Sequence, residues 1–172
     1  MWGKSRCATC GKKHTGFVMV FGPDSPLTWA QATDDERAEG ELSADLCAIS
    51  IDGEMHYYVR GHIEILVTDG DGTPFSWTVW VSLSASNWAV MIDHWQDPKR
   101  DQLEPMFGWL NSALPPYEPS TISLATNVYQ RAVGVVPLIE LDPSLDHPLV
   151  REQLHGISLH RVAEINAQLL GE

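Results

Sequence analysis

The clearest pattern in the chain is the alternation of apolar and polar residues at positions 75–84, which read FSWTVWVSLS. The odd positions are apolar, and the even positions are polar except for Trp80. This period of two, with many β-branched and aromatic residues, predicts a β-strand with one buried face. Residues 55–67 alternate in the same way, and the turn-forming sequence DGDG at 69–72 joins the two stretches. The pattern therefore predicts an antiparallel hairpin.

A third alternating strand is predicted immediately before the hairpin. Residues 46–51 alternate, and Asp52-Gly53 connects them to the strand at 55–67. Three consecutive strands at 46–51, 55–67 and 75–83 predict an antiparallel meander.

Shorter apolar runs predict further strands on either side of the meander. One lies at 17–21, and two more lie at 121–129 and 133–141. Pro137 falls inside the last run, which places that strand at a sheet edge or next to a bulge because proline cannot donate to a β-ladder.

Helix signals are interspersed with these strands. Thr33 and Glu36 form a capping box for a short acidic helix at 34–39. Ser84 or Ser86 can cap a helix whose apolar stripe extends from 88 to 95 with helical spacing, and we expect that stripe to be buried core.

The later helices are predicted from proline, glycine and serine positions. Residues 106–114 (MFGWLNSAL) are predicted as a short helix ended by two prolines. His147-Pro148 begins a helical stretch that stops near Gly156, and Ser158 caps a terminal helix.

Strands and helices are mixed along the chain rather than strictly alternating. This predicts an α+β fold with a mostly antiparallel meander sheet, packed helices and an N-terminal zinc-knuckle-like turn. A single domain over 1–172 is expected. Within it, 1–22 form the knuckle and first strand, 42–142 the sheet core with an inserted helix, and 147–172 the C-terminal helices.

Length and composition support a compact chain with its own core. The protein has 172 residues and 44% hydrophobic residues, enough to bury a core without staples. No apolar run reaches the roughly 18–20 residues of a membrane helix. The first ten residues lack the apolar segment of a signal peptide. We therefore expect a soluble, cytoplasmic protein with no membrane partner.

The formal net charge of −12 is unevenly distributed. The first 23 residues hold four basic side chains and no acidic one, so the remainder carries seven basic against 23 acidic side chains, a net charge of −16. A body this acidic repels phosphate backbones, which argues against nucleic acid as a partner. The charge is compatible with solubility alone, or with attraction to a basic protein partner.

The most specific local motif is Cys7-x-x-Cys10-Gly11, in a segment similar to a zinc knuckle. A tight turn lets two thiolates face one ion, and a structural Zn²⁺ needs four ligands. The preferred set is Cys7, Cys10, His14 and Cys47, with Cys47 supplied by the distant strand. Redox chemistry of the cysteine pair, or a knuckle without metal, are the alternatives.

A second candidate site is the even face of the long predicted strand. It presents His56, Arg60, His62 and Glu64, and Trp80 comes from the neighbouring strand. A solvated outer sheet face would have the same composition. Trp80 needs cover from another layer in either case.

Motifs of established catalytic centres are absent from the sequence. There is no HEXXH, P-loop or GxGxxG motif, and the serines at 82 and 84 lack a glycine-flanked elbow. No catalytic residue is assigned. His147, His155 and His160 are interpreted as structural.

Ordered short segments along most of the chain resemble a family of uncharacterised bacterial proteins, domain-of-unknown-function family 2199. The resembling positions are Cys7-x-x-Cys10-Gly11 with His14 and Gly16, Phe21-Gly22 with Pro26 and Trp29, Asp45-Leu46-Cys47, Arg60-Gly61 with Glu64-Ile65, residues 80–84 (WVSLS), Phe107-Gly108-Trp109-Leu110, Leu114-Pro115 with Tyr117, His147-Pro148-Leu149, and Gln153 with Gly156-Ile157. The chain departs from the family pattern at Leu66 and Thr78. The resemblance implies no activity, substrate or cofactor, but it includes His14 and Cys47.

These observations favour a non-enzymatic, zinc-stabilised binding module. It would be an acidic inhibitor or immunity-type protein for a basic protein partner, with Zn²⁺ in a structural role. Two alternatives are a small metal-assisted hydrolase, using an open zinc position or the Arg60/His62/Glu64 face, and a redox-responsive zinc switch.

Overall fold

A computed structural model describes residues 7, 9–13 and 16–171 of the chain. This part contains eight strands, five α-helices and a short 3₁₀ helix at Arg100–Gln102. In chain order the elements are β1 (Val20–Phe21), α1 (Leu27–Gln31), α2 (Asp34–Glu39), β2 (Glu41–Leu42), β3 (Leu46–Ile51), β4 (Glu54–Ile65), β5 (Phe75–Leu83), α3 (Ala85–Asp93), β6 (Met106–Leu110), β7 (Ala125–Tyr129), β8 (Leu138–Leu141), α4 (Pro148–His155) and α5 (Leu159–Leu170).

Five of the strands close into a barrel. Strands β4 to β8 each pair antiparallel with the next one, and β8 returns to pair parallel with β4 at Leu138 and His62. Strands β3 and β2 extend the sheet beyond β4, and β1 pairs parallel with β5. The predicted α+β class is confirmed. Strands β3, β4 and β5 pair antiparallel in chain order, but the sheet as a whole is a barrel with added strands rather than the predicted meander. The closure of the sheet on itself was not expected.

The interior of the barrel is built from the alternation seen in the sequence. Four odd residues of β4 and β5, Val59, Ile63, Trp77 and Val79, are at most 1% exposed and belong to the main hydrophobic cluster. Helices α4 and α5 contribute Leu149, Val162 and Ile165 to the same cluster. A closed barrel also removes most exposed strand edges.

A second, smaller hydrophobic cluster lies on the outer face of β3, β4 and β5. It consists of Ala32, Cys47, Ile49, Tyr58 and Trp80. Trp80 is completely buried there, and its Nε1 donates to the carbonyl of Pro23 at 3.1 Å. A large aromatic side chain on the outer face of the sheet needs another layer above it. The loop before α1, together with α1, covers Trp80 in this way.

The prediction of a helix at 106–114 was wrong. Residues Met106–Leu110 form β6, in which Met106, Gly108 and Leu110 point inward while Phe107 and Trp109 are exposed. Because the outward residues of this strand are aromatic rather than polar, its sequence does not show the alternation of apolar and polar residues that marks a strand. Gly108 is required because a Cβ there would lie 2.2 Å from the carbonyl oxygen of Ser82.

The last two strands are shorter than their apolar runs. β7 begins at Ala125 and β8 begins at Leu138. Pro137 lies immediately before β8, where its carbonyl accepts a hydrogen bond from His62 N at 2.9 Å. Proline thus stands at the point where the barrel closes, without having to donate to the ladder.

The helix caps follow the sequence closely. Thr33 and Glu36 form the reciprocal capping box of α2, Ser84 caps α3 and Ser158 caps α5. The stripe predicted as core on α3 is only partly buried, since Met91 is covered while Ile92 is 40% exposed. In the described part of the chain, no helix combines the length and apolar character needed to cross a membrane.

Candidate metal centre

Three potential metal ligands from opposite ends of the described chain converge at one place. The donor atoms of Cys7, Cys10 and His160 all lie within 4.8 Å of one another. The Sγ atom of Cys7 is 3.6 Å from Nδ1 of His160. With Zn–S near 2.3 Å and Zn–N near 2.0 Å, tetrahedral zinc holds a sulfur and a nitrogen ligand about 3.6 Å apart. The composition of the group and the distance between Cys7 and His160 are therefore compatible with a metal ion such as zinc.

The two cysteines are held in a tight turn. Gly11 N donates to the carbonyl of Cys7 at 2.8 Å, and Cys7 N donates to the carbonyl of Lys12 at 2.8 Å. Gly11 has φ of +70°, a left-handed conformation that glycine adopts without steric cost. The turn brings two potential ligands to one side.

The third ligand is fixed on a helix. His160 is the second residue of α5, which Ser158 caps by accepting from Arg161 N. Its Nε2 lies 3.3 Å from Oε1 of Glu164, one turn further along the helix. A carboxylate at this nitrogen favours the tautomer with the proton on Nε2, which leaves the Nδ1 lone pair directed at the cysteines.

A hydrogen-bonded clamp holds the N-terminal segment against the same helix. Val18 N donates to Oδ1 of Asn166 at 2.9 Å, and Nδ2 of Asn166 donates to the carbonyl of Val18 at 3.0 Å. Asn166 is 5% exposed, and Phe17 and Met19 pack on the main core on either side of Val18. The clamp fixes the segment that follows the cysteine turn.

The structure brings together only part of the predicted ligand set. Cys7 and Cys10 lie side by side, and His14 lies outside the described residues. The prediction of Cys47 needs correction, because Cys47 lies in the second hydrophobic cluster with Tyr58 and Trp80, and His160 stands in the group instead. Burial raises the pKa of the Cys47 thiol to about 12, so it is a neutral thiol near pH 7 and a poor metal ligand.

Sequence reasoning missed His160 because no local pattern marks it. It is separated from Cys7 by 153 positions, and only the packing of α5 brings it to the turn. The one available signal was the spacing of His160 and Glu164, an i, i+4 pair on a helix face.

The residues of the predicted polar face do not share one site. Arg60 pairs with Asp45 at 2.8 Å, and Glu64 pairs with Arg131 at 2.8 Å. His62 lies between them on β4. Burial, together with the positive charges of Arg131 and Arg60, holds its pKa below 6.5.

The two other members of that face lie elsewhere. His56 lines a separate groove beside Phe107 and Trp109. Trp80 is buried beneath Pro23. The cations and anions around His62 are thus already paired with each other, as on a structural sheet face.

Comparison with known protein families matches residues 6–157 to a family described as "Uncharacterized protein conserved in bacteria (DUF2199)". The chain belongs to this family. The match includes the cysteine turn and the barrel strands, and it ends three residues before His160. No curated protein and no solved structure matches the chain. The family description names no activity, so function has to be argued from the site.

Proposed function

We propose that this family member is a non-enzymatic binding module stabilised by a structural Zn²⁺. Cys7, Cys10 and His160 would hold the ion, and His14, four positions after Cys10, is the candidate for the fourth ligand. The observation that carries the proposal is the convergence of three donor atoms within 4.8 Å, at separations that suit tetrahedral zinc.

The location of the group favours a structural ion over a catalytic one. Four recesses of about 290 to 610 Å³ are lined by residues other than these three. Catalytic zinc normally faces a pocket that admits substrate and keeps one coordination position open. A metal that joins a surface turn to a helix, away from these recesses, is better suited to fixing the chain.

The effect of the ion on stability follows from the length of the loop that it would close. It would tie Cys7 and Cys10 to α5 and so close a loop that contains all five barrel strands. Cross-links that close long loops restrict the unfolded chain most strongly, and a site formed only on folding converts metal affinity into stability. The ion would act together with the clamp between Val18 and Asn166.

Charge supports the choice of a basic protein as the binding partner. Beyond residue 23 the chain carries a net charge of −16, with an exposed acidic helix in α2. The negative electrostatic field of such a chain attracts and orients a basic partner and repels an acidic one. An acidic inhibitor or immunity-type protein has this charge distribution.

Two measurements test the proposal. Elemental analysis of untagged protein should find about one zinc per chain. Affinity for a basic protein such as lysozyme should fall steeply as salt is added. Metal-free folded protein would contradict the structural ion, and absent or salt-insensitive binding would contradict the basic partner.

A redox-responsive zinc switch is a second candidate, favoured by the exposure of Cys10 beside Cys7. Hydrogen peroxide would take two electrons from the two thiolates, forming one S–S bond and two hydroxide ions, and the ion would lose two ligands. Full retention of zinc after mild peroxide treatment would exclude this candidate.

A further inference from the structure

An exposed aromatic groove lies on the outside of the barrel. It has a volume of about 610 Å³ and lies between the beginning of β4, the end of β5, the first turn of α3 and strand β6. Three large apolar side chains on its walls are roughly half exposed: Met55 at 47%, Phe107 at 49% and Trp109 at 50%. We call this surface the β6 groove.

The aromatic pair of the groove is held rigidly. Phe107 and Trp109 project from the same side of β6, with ring centroids 4.9 Å apart and planes at 88°. Trp109 N donates to Oγ of Ser82 at 3.2 Å, and Gly108 allows β6 to approach β5 closely. A barrel strand, rather than a loop, therefore presents both rings in one fixed arrangement.

Leaving these side chains in water is unfavourable for an isolated chain. Burying one large apolar side chain is worth about 1.5–3 kcal/mol, and clustered exposed aromatics mark binding surfaces more often than scattered ones do. Tyr and Trp side chains also supply most of the energy at many protein interfaces. The β6 groove thus has the composition of the central part of an interface.

The charges around the groove define which partner fits. Among the described residues that line it, Glu54 is the one carboxylate and His56 the one imidazole, and neither Lys nor Arg is present. Across the neighbouring strands Phe107 is in register with Asn127, which is in register with Glu140. A cation placed over the exposed ring faces would meet negative charge and π-electron density together.

We infer that the β6 groove is the docking site for a segment of a basic protein partner that presents Arg or Lys next to an apolar side chain. This inference rests on the proposed function and adds the place of contact. A second copy of the chain is a poorer occupant, because each copy has a net charge of −12 and symmetric contact would bring the two Glu54 side chains together.

The test compares groove variants with matched surface variants. The groove variants are Trp109→Ala and Phe107→Ala. The controls are Leu66→Ala, an exposed aliphatic residue outside the groove, and the double variant Asp34→Asn/Asp35→Asn on the acidic helix α2. The probe is a synthetic 12-residue peptide of alternating Arg and Leu, with a Glu/Leu peptide of equal length as the charge control. Binding to the full chain is measured by isothermal titration calorimetry at about 50 mM salt, and folding by circular dichroism.

We expect Trp109→Ala to weaken binding of the Arg/Leu peptide about tenfold or more, as for a hot-spot aromatic, and Phe107→Ala to weaken it as well. Leu66→Ala and the α2 variant should change it less than about twofold. The Glu/Leu peptide should not bind.

Each contrary result has a distinct meaning. If only the α2 variant weakens binding, the basic partner stands and the groove assignment is overturned. If the Arg/Leu peptide does not bind the unmodified chain, both the groove and the proposed basic partner are overturned. Equal binding of the Glu/Leu peptide would refute the role of charge. A dimer in sedimentation that Trp109→Ala abolishes would assign the groove to a second copy.

Discussion

The sulfur of Cys7 lies 3.6 Å from Nδ1 of His160, although 153 positions separate the two residues in the chain. This contact joins the N-terminal turn to the C-terminal helix α5. Glu164 lies behind the imidazole, and Asn166, on the same helix, holds the backbone at Val18. The relationship is the basis of the proposed metal centre, and it leads to several tests.

Glu164 should tune the affinity of the centre for zinc. Because its carboxylate faces Nε2 of His160 at 3.3 Å, Glu164→Gln should lower zinc affinity about 10- to 100-fold, as loss of an outer carboxylate does in other zinc sites. Competition with a chromogenic chelator measures this change. Glu140→Gln, at the exposed position of β8, is the control and should leave the affinity unaltered. Equal affinities for the two variants would show that the carboxylate does not orient the ligand.

Asn166 should contribute to stability through its two bonds to the backbone of Val18. Asn166→Ala removes both bonds, together with a third from Nδ2 to the carbonyl of Val162 at 2.9 Å. Unfolding in urea should show a loss of about 1–3 kcal/mol. Gln168→Ala, on the exposed side of the same helix, should change stability by less than about 0.5 kcal/mol. If Asn166→Ala lowers the free energy of unfolding no more than Gln168→Ala does, water replaces the hydrogen bonds between Asn166 and Val18.

The hydroxyl of Tyr117 connects a buried tryptophan to an ion pair. It accepts from Nε1 of Trp77 at 3.0 Å and donates to Glu152, whose other oxygen accepts from Nε of Arg161 at 2.7 Å. Burial raises the pKa of the Tyr117 hydroxyl, and the negative charge of Glu152 raises it further. The hydroxyl therefore stays protonated and can donate a hydrogen bond.

Removing this hydroxyl leaves Nε1 of the buried Trp77 without its partner and takes one hydrogen bond from Glu152, which keeps its bond to Arg161. Tyr117→Phe should therefore cost about 1–3 kcal/mol in chemical unfolding. Tyr129→Phe, at a half-buried tyrosine of β7, is the matched control and should cost less. Equal costs for the two variants would argue against the buried network.

His62 should make stability depend on pH. The pKa of His62 in the folded chain is lower than the ordinary 6.5. Burial is the largest cause, followed by the positive charges of Arg131 and Arg60, while the charge of Glu64 opposes the shift. The unfolded state therefore binds the proton more readily. The contribution of His62 is fully present above pH 6.5 and is lost as pH falls through the lower folded pKa.

The measurement is urea unfolding of the unmodified chain and His62→Gln between about pH 5 and pH 8. The difference in unfolding free energy between the two should change over the window below pH 6.5 and be constant above it. A difference that stays constant across the whole range would contradict the shift.

The sequence predicted those parts of the fold that depend on local pattern. The alternation on β4 and β5 and the serine and threonine caps of α2, α3 and α5 all reflect interactions within a few residues. The closure of the barrel was not predictable in this way, because a single parallel pairing between His62 and Leu138 joins segments far apart in sequence. Strand β6 was mistaken for a helix because its outward positions are aromatic.

The candidate site likewise has one part that the sequence predicts and another that depends on the packing of distant segments. The cysteine turn is visible as a local motif, because a tight turn with glycine at 11 has a sequence signature. The choice of Cys47 as the distant ligand followed residue type alone, and the structure shows that thiol buried beside Tyr58. His160 depends on how α5 packs, which no short pattern encodes.

The central claim is that Cys7, Cys10 and His160 bind one zinc ion in the folded chain. The most direct test is elemental analysis of untagged protein and of Cys7→Ser, Cys10→Ser and His160→Ala, with Cys47→Ala and the exposed His155→Ala as controls. We predict about one zinc per chain in the unmodified protein and both controls, and its loss in the three ligand variants. Zinc retained in His160→Ala and lost in Cys47→Ala would contradict the account.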